Sequence, residues 1–175
     1  MAARRCFVRK GFHGASIADI ASEAEVSVAS LYQYFSSKED LILAMTEWDL
    51  RQNLALIGKM AEPGSFRVQI ATILDMVAEE ARQPDALALQ LEIAAEALRN
   101  PRIADALRRA DQALLVRLKD AISSAQSRAE IDSSFEPEGL AAILLMMAEG
   151  LFSHVALGVG SAEPPKRALL HLLDR

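Results

Sequence analysis

The stretch VSVASLYQYFSSKEDL, Val26 to Leu41, decides how this chain is read. It gathers Tyr32, Tyr34 and Phe35 at one place, although aromatics make up only 5% of the chain. Small residues precede them, Ser27, Ala29 and Ser30, and Lys38 follows two serines. Just upstream, Ser16-Ile17-Ala18-Asp19 sets an acid three residues after a hydroxyl, the pattern of a capping box. The spacing predicts a helix from Ile17 to about Ala24 and a turn at Glu25-Val26-Ser27. Ser27 then caps a second short helix, Val28 to Tyr34. Two short helices joined by about three residues form a helix-turn-helix. Ile20, Ala21, Val26 and Leu31 are its expected shared core, with Phe35 as the core aromatic.

A helix that enters the major groove needs small side chains at its N-terminal end, so that its backbone can approach the base edges. Ser27, Val28, Ala29 and Ser30 supply them. Tyr32 and Tyr34 then lie toward the sides of the groove, their hydroxyls reaching phosphates and their rings packing on the small domain. Lys38 opens the next helix, where its charge and the free N–H groups together can grip a phosphate.

Charge agrees in its distribution rather than its sum. The net charge is −5, yet residues 1 to 15 hold Arg4, Arg5, Arg9 and Lys10 and no acid. Residues 1 to 46 hold five basic and five acidic side chains, so the remainder carries the deficit. A basic end on an acidic body fits a chain that presents that end to an anion, and it also fits ordinary surface charge.

Beyond this stretch almost everything reads as helix, with no sustained period-2 alternation, no repeat and no low-complexity segment. Four apolar stripes recur at three- and four-residue steps. They are Phe66, Ile70, Leu74, Val77 and Ala81; Leu87, Leu91, Ala94 and Leu98; Ile103, Leu107, Ala110, Leu114 and Leu118; and Leu140, Leu144, Met147 and Leu151. Gly11, after Arg9-Lys10, reads as a helix C-terminus. Pro63-Gly64-Ser65 ends one helix and caps the next, and Pro84, Pro101 and Pro137 fit first-turn positions. A short helix from Lys166 to Leu173 closes the chain, for about nine helices and an all-α fold. Residues 1–46 are expected as a DNA-binding domain and 47–175 as a larger helical domain.

With one cysteine, Cys6, no internal disulfide can form, which points to a reducing cytoplasm. The N-terminus has no apolar stretch like that of a signal peptide. The longest apolar run, Leu140 to Ala148, falls short of the ~20 residues of a membrane span. Cys6, His13, His154 and His171 are scattered, with no acid placed to complete a nucleophilic set and no metal-ligand spacing. No glycine-rich phosphate loop occurs. An enzyme, a metal and a cofactor are therefore not expected.

Gly11-Phe12, Ser16-Ile17, Asp19-Ile20-Ala21, Ala24, Val26-Ser27, Leu31-Tyr32, Tyr34-Phe35, Ser37-Lys38-Glu39 and Leu41 match, in order and spacing, a known DNA-binding segment. Over about a quarter of its length the chain resembles the TetR family of bacterial transcriptional regulators. The resemblance implies a homodimer, each subunit with a three-helix head and a helical domain for ligand binding and dimerisation. It implies phosphate contacts from Ser16, Tyr32, Tyr34 and Lys38, with Ser27, Val28, Ala29 and Ser30 facing bases or the adjoining backbone. Two departures stand out. Glu25 replaces the family's usual turn glycine, which requires a positive φ or a reshaped turn at roughly 1 kcal/mol. The family pattern also extends further upstream of Arg4, so either the true start lies upstream or the protein lacks the basic arm.

The larger domain resembles the family more weakly. LEIAAEALRNPR, Leu91 to Arg102, is similar to a helix and turn of the BetI-type subgroup, and Ala148-Glu149-Gly150-Leu151 to the pattern of the eighth helix. The resemblance implies dimerisation through helices eight and nine. Leu140 to Leu157 supports this independently, being apolar nearly all round, with Gly150 permitting close approach. An effector pocket is implied among helices five to eight, with Met76, Leu91, Glu92, Met147, Phe152 and His154 as candidate lining. Methionines adapt to varied apolar ligands but also fill cores. The expected function is a ligand-responsive, operator-binding transcriptional repressor. The alternative is a helical interaction or scaffold module whose helix-turn-helix has lost DNA binding.

Overall fold

A computed structural model describes residues 2–63, 66–83 and 85–173. The expected cap at Ser65 and first-turn Pro84 lie outside the described residues. Those residues form nine α-helices: α1 Ala2–Gly14, α2 Ile17–Glu23, α3 Val28–Tyr32, α4 Lys38–Gly58, α5 Phe66–Ala81, α6 Ala86–Ala97, α7 Pro101–Ser127, α8 Pro137–Ala156 and α9 Glu163–Leu172. A 3-10 turn, Lys59–Ala61, follows α4.

Local chemistry accounts for most boundaries. Gly11, at φ 70° and ψ 164°, breaks the helical path inside α1. That conformation is open essentially to glycine alone. Ser37 receives the Asp40 amide at 3.2 Å at the start of α4. Asn100 accepts the Arg102 amide at 3.1 Å behind Pro101, the first residue of α7. Glu136 accepts the Glu138 amide at 3.0 Å behind Pro137 at the start of α8. Those amides, Gly139 first and Glu138 second, hold the Glu136 carboxyl below its usual range. At the far end of α8, Gly158 (φ 66°) sends its N–H to Val155, and Val159 sends its own to His154. That is a Schellman closure with glycine in its left-handed position.

The chain divides into two compact units, Met1–Asp49 with Leu87–Ala110, and Leu50–Ala86 with Asp111–Arg175. The division expected at 46/47 therefore omitted a second segment of the first unit. Cys6, Phe7, Phe12, Ile20, Ala21, Leu31, Leu41, Ile42 and Met45 form the first core, and Leu89 and Ile103 are buried in it with them. Ile93, Ala97 and Leu107 pack against that core.

This corrects the expected stripe of α6. Leu91 and Leu98 are exposed, Leu98 at 90%, while Leu89, Ile93, Glu96 and Ala97 face inward. The helix is apolar on several sides, so its pattern did not fix a face. Polar partners at the end of α1, described below, do.

The second unit is built on the stripes read from the sequence. Phe66, Ile70, Leu74 and Ala78 of α5 meet Leu140, Ala141, Leu144 and Leu151 of α8, with Leu118, Ala121 and Ile122 of α7. Leu169 and Leu173 join from the chain end, while Leu172 stays exposed. By length and composition alone α8 is apolar enough to cross a membrane, which the shorter run Leu140 to Ala148 had not suggested. Its Leu140, Ala141, Leu144 and Leu151 are core residues, and it packs along α5.

Candidate nucleic-acid interface

The helix-turn-helix forms from the capping residues outward. Ser16 Oγ accepts the Asp19 amide at 3.1 Å, and Asp19 accepts the Ser16 amide at 2.9 Å, completing the box. Lys10 Nζ adds an ion pair to Asp19 at 2.7 Å. Lys10 first, then the Ser16 amide and hydroxyl, hold the Asp19 carboxyl well below the usual carboxylate range. The expected chemistry of this helix start is present in full.

The turn is a Schellman closure built without glycine. Glu25 donates to Ser22 at 3.1 Å and Val26 donates to Ala21 at 3.0 Å. These bonds require a left-handed residue between them, and Glu25 takes it, at φ 57°. Of the two options open to a non-glycine residue there, the chain adopts the positive φ. Closure also explains Val26. Expected in the core, it is 45% exposed, because the reversed chain carries it outward beyond the end of α2.

On α3, Ser27 Oγ accepts the Ser30 amide at 3.0 Å and lies 2.8 Å from Ser30 Oγ. Leu31 is buried and anchors the inner face. Val28, Ala29, Tyr32 and Gln33 are exposed around it. α3 ends at Tyr32, two residues earlier than expected, so Tyr34 lies in the following turn, 79% exposed. The Tyr34 ring therefore stands in solvent rather than packing on the small domain, Tyr32 is half-exposed, and Phe35 packs on the core. Sequence reading passed over Gln33. Its only signal was its register, four residues after Ala29 on the same outward face.

The cations of the head are held by their own chain. Glu23 pairs with Arg5 at 2.6 Å and Arg9 at 3.0 Å, which lowers its carboxyl, Arg5 first. Arg4 lies 3.5 Å from Asp49, and Arg102 lies 3.2 Å from Asp40. The four cations read from residues 1 to 15 are thus held in ion pairs with three carboxylates, Glu23, Asp19 and Asp49. Lys38 Nζ donates to the Phe12 carbonyl at 2.7 Å and the His13 carbonyl at 3.2 Å, and sits 4.8 Å from the Phe12 ring centroid. Its ammonium joins the start of α4 to the end of α1 through two of its three N–H bonds.

The candidate effector residues are divided between the two units. Leu91 and Glu92 belong to the first unit, and Met76, Met147, Phe152 and His154 to the second. Glu92, expected among the pocket lining, accepts the Phe12 amide at 2.9 Å. Its neighbour one turn on, Glu96, is 6% exposed and lies 3.3 Å from His13 Nε2. Met147 packs against the second core. His154 is exposed, with Nδ1 3.1 Å from the Gly150 carbonyl. Only Met76 of the six lines an open depression of about 520 Å³, shared with Thr72, Asp75, Glu79, Arg82, Ser161 and Glu163.

Comparison with known proteins matches this geometry. Residues 1–45 fit the family described as bacterial regulatory proteins, tetR family. Residues 69–175 fit the BetI-type transcriptional repressor, C-terminal family. The transcriptional regulator UidR of Escherichia coli K12 is 30% identical over 155 residues, 88% of this chain and 78% of UidR. The transcriptional repressor AcnR of Corynebacterium glutamicum is 26% identical over 163 residues, 91% of this chain and 80% of AcnR. The structure of GusR from Salmonella enterica superposes with a TM-score of 0.79 at 29% identity, covering 99% of this chain and 92% of GusR.

Proposed function

Because this chain belongs to the TetR family and is a DNA-binding transcriptional regulator, we propose that it is a homodimeric repressor released from its operator by a small molecule. One observation carries the DNA-binding part. A fully capped helix-turn-helix leaves the outer side of α3 and the following turn exposed, with Val28, Ala29, Tyr32 and Tyr34 uncovered. Ser16, Tyr32, Tyr34 and Lys38 contact phosphates, and Ser27, Val28, Ala29 and Ser30 lie along the base edges. Two α3 helices of a dimer then enter successive major grooves of a near-palindrome about one turn apart.

The dimer forms through α8 and α9. Ile143, Met146 and Leu157 are exposed along α8, Gly150 has open space beside it, and Leu172 is exposed on α9. Exposed apolar side chains on both helices are what pairing with a second copy would bury. A monomeric mass by light scattering at micromolar concentration would refute the dimer.

The effector binds the larger domain, with Met76, Met147, Phe152 and His154 as its first candidates, and acts through α4, which has residues in both units. Linkage then requires operator DNA to weaken effector binding by the same factor as effector weakens operator binding. No reaction, metal or cofactor enters this reading, and the protein acts on DNA in the cytoplasm.

The deciding experiment is binding of the purified protein to its own upstream intergenic DNA across a salt series, beside a Tyr32→Phe, Tyr34→Phe variant. Specific, salt-sensitive binding that the variant weakens supports the proposal. Binding that ignores sequence, or none, favours the interaction module.

A further inference from the structure

We propose that α3 recognises thymine through its C5-methyl group, with Val28 and Ala29 as the specificity-determining residues. The proposal rests on the DNA-binding reading above and deepens it.

A base pair in the major groove offers hydrogen-bond donors, acceptors and, for thymine alone among the four bases, a methyl group. What a helix can read depends on which of its side chains are free to meet those features. The two serine oxygens at the start of α3 bond each other and the helix cap. Ser27 Oγ receives the Ser30 amide at 3.0 Å, and the two serine oxygens share a hydrogen bond at 2.8 Å. Turning Ser27 Oγ away from the Ser30 amide would break the N-cap of a helix only five residues long, and the bond between the two serines uses one of their two hydroxyl protons.

Geometry then selects the outward side chains. Leu31 points into the core. At 100° per residue, Ala29 lies about 200° from it around the helix, on the outer side. Val28, at the first helical position, is 40% exposed, and Val26 just before it is 45% exposed. The leading end of α3 therefore exposes three apolar side chains, Val26, Val28 and Ala29, around the capping Ser27, with no cation among them. No guanidinium is available there for guanine, whose usual partners are Arg and Lys. A methyl group is the one feature of the groove that an apolar patch can favour. The brevity of Val28 and Ala29 lets the helix come close enough to meet it. The patch continues directly into the exposed tyrosines proposed to hold phosphates, so duplex DNA is the surface that covers it.

The test begins by selecting duplexes from a random library with the full chain. Each half-site thymine of the selected operator is then replaced singly by deoxyuridine, which removes the methyl group and nothing else. At one or two positions per half-site, affinity is expected to fall roughly 4- to 10-fold, the equivalent of one buried methyl. A Val28→Ser, Ala29→Gly variant, checked for wild-type helicity, is expected to bind the thymine and uracil duplexes alike. Wild-type binding unchanged to within about twofold at every position would overturn the proposal. So would a variant that keeps the full thymine preference. If the variant does not fold, the wild-type comparison decides alone. Either failure leaves the regulator reading standing. Selection that yields no preferred sequence overturns both.

Discussion

The Glu92 carboxylate accepts a hydrogen bond from the Phe12 backbone amide at 2.9 Å, across 80 residues of sequence. Gly11 interrupts the helical path, so the Phe12 amide begins a new turn and has no helical carbonyl behind it. Glu92 serves as the cap of that turn from another helix. Lys38 covers the opposite pole, its ammonium donating to the carbonyls of Phe12 and His13. The corner between α1 and α2 is therefore held by two charged side chains from distant parts of the chain.

Replacing Glu92 by Ala leaves the amide without its partner and is expected to cost about 1–3 kcal/mol of stability in denaturant unfolding. Glu92→Gln keeps an acceptor oxygen and is expected to cost less than half as much. Operator affinity should fall in the same order, because Ser16 follows this corner directly. Wild-type stability in the alanine variant would remove Glu92 from the account.

Asp19 supplies a pH dependence. Its folded carboxyl titrates below the unfolded value because Lys10, the Ser16 amide and the Ser16 hydroxyl all favour the anion. The stability it contributes is fully present above an ordinary aspartate pKa of about 4 and is lost as pH falls through the depressed folded value. Thermal melts of wild type and Asp19→Asn should thus differ at pH 7 and converge in acid. A constant difference down to the acid limit would contradict this.

Glu25 pays a steric penalty in its left-handed conformation. Glu25→Gly relieves about 1–2 kcal/mol of that strain and gives back part of it through the freer unfolded chain. A net gain of about 0.5–1 kcal/mol is expected in chemical denaturation. It also removes an anion beside the recognition helix, so operator binding should tighten. A less stable variant would show that the side chain does something the turn needs.

Lys38 and Tyr34 should separate cleanly. Lys38→Ala loses two charge-assisted bonds to carbonyls and is expected to lower both stability, by about 1–3 kcal/mol, and DNA binding. Tyr34 is 79% exposed, so Tyr34→Phe should leave the melting curve unchanged while weakening DNA binding. Equal effects on stability would mean that the tyrosine hydroxyl is structural.

At Gly150 a side chain would meet nothing within 4 Å. Gly150→Leu should therefore preserve the protomer, and it raises helix propensity by roughly 0.5–1 kcal/mol. If α8 pairs with its copy there, the same change drives the subunits apart, and sedimentation should report a folded monomer. A folded dimer of undiminished affinity would relocate the interface.

What could be read in advance was what depends on neighbours in sequence. The Ser16–Asp19 box, the Ser27 cap, the break at Gly11 and the unusual turn at Glu25 are each settled within a few residues, and each is as expected. The misreadings involve partners far along the chain. Val26 looked like core because it is apolar, but the closure of α2 turns it outward. Lys38 looked like a pure phosphate ligand because the carbonyls it binds lie 26 and 25 residues away. Glu92 looked like a pocket-lining acid because nothing near it in sequence names Phe12 as its partner. For the same reason α6 was given the wrong inner face, and the first unit was drawn without its second segment.

The single thiol gives the molecule a built-in reporter. Cys6 is fully buried in the first core, and the chain has no other cysteine. A thiol-specific reagent can reach it only when that core opens. Labelling rate under native conditions therefore times the opening of the DNA-binding head separately from the second unit, without any engineered probe. Followed with operator or candidate effectors present, the same clock would rank them by how far each quiets or loosens the head.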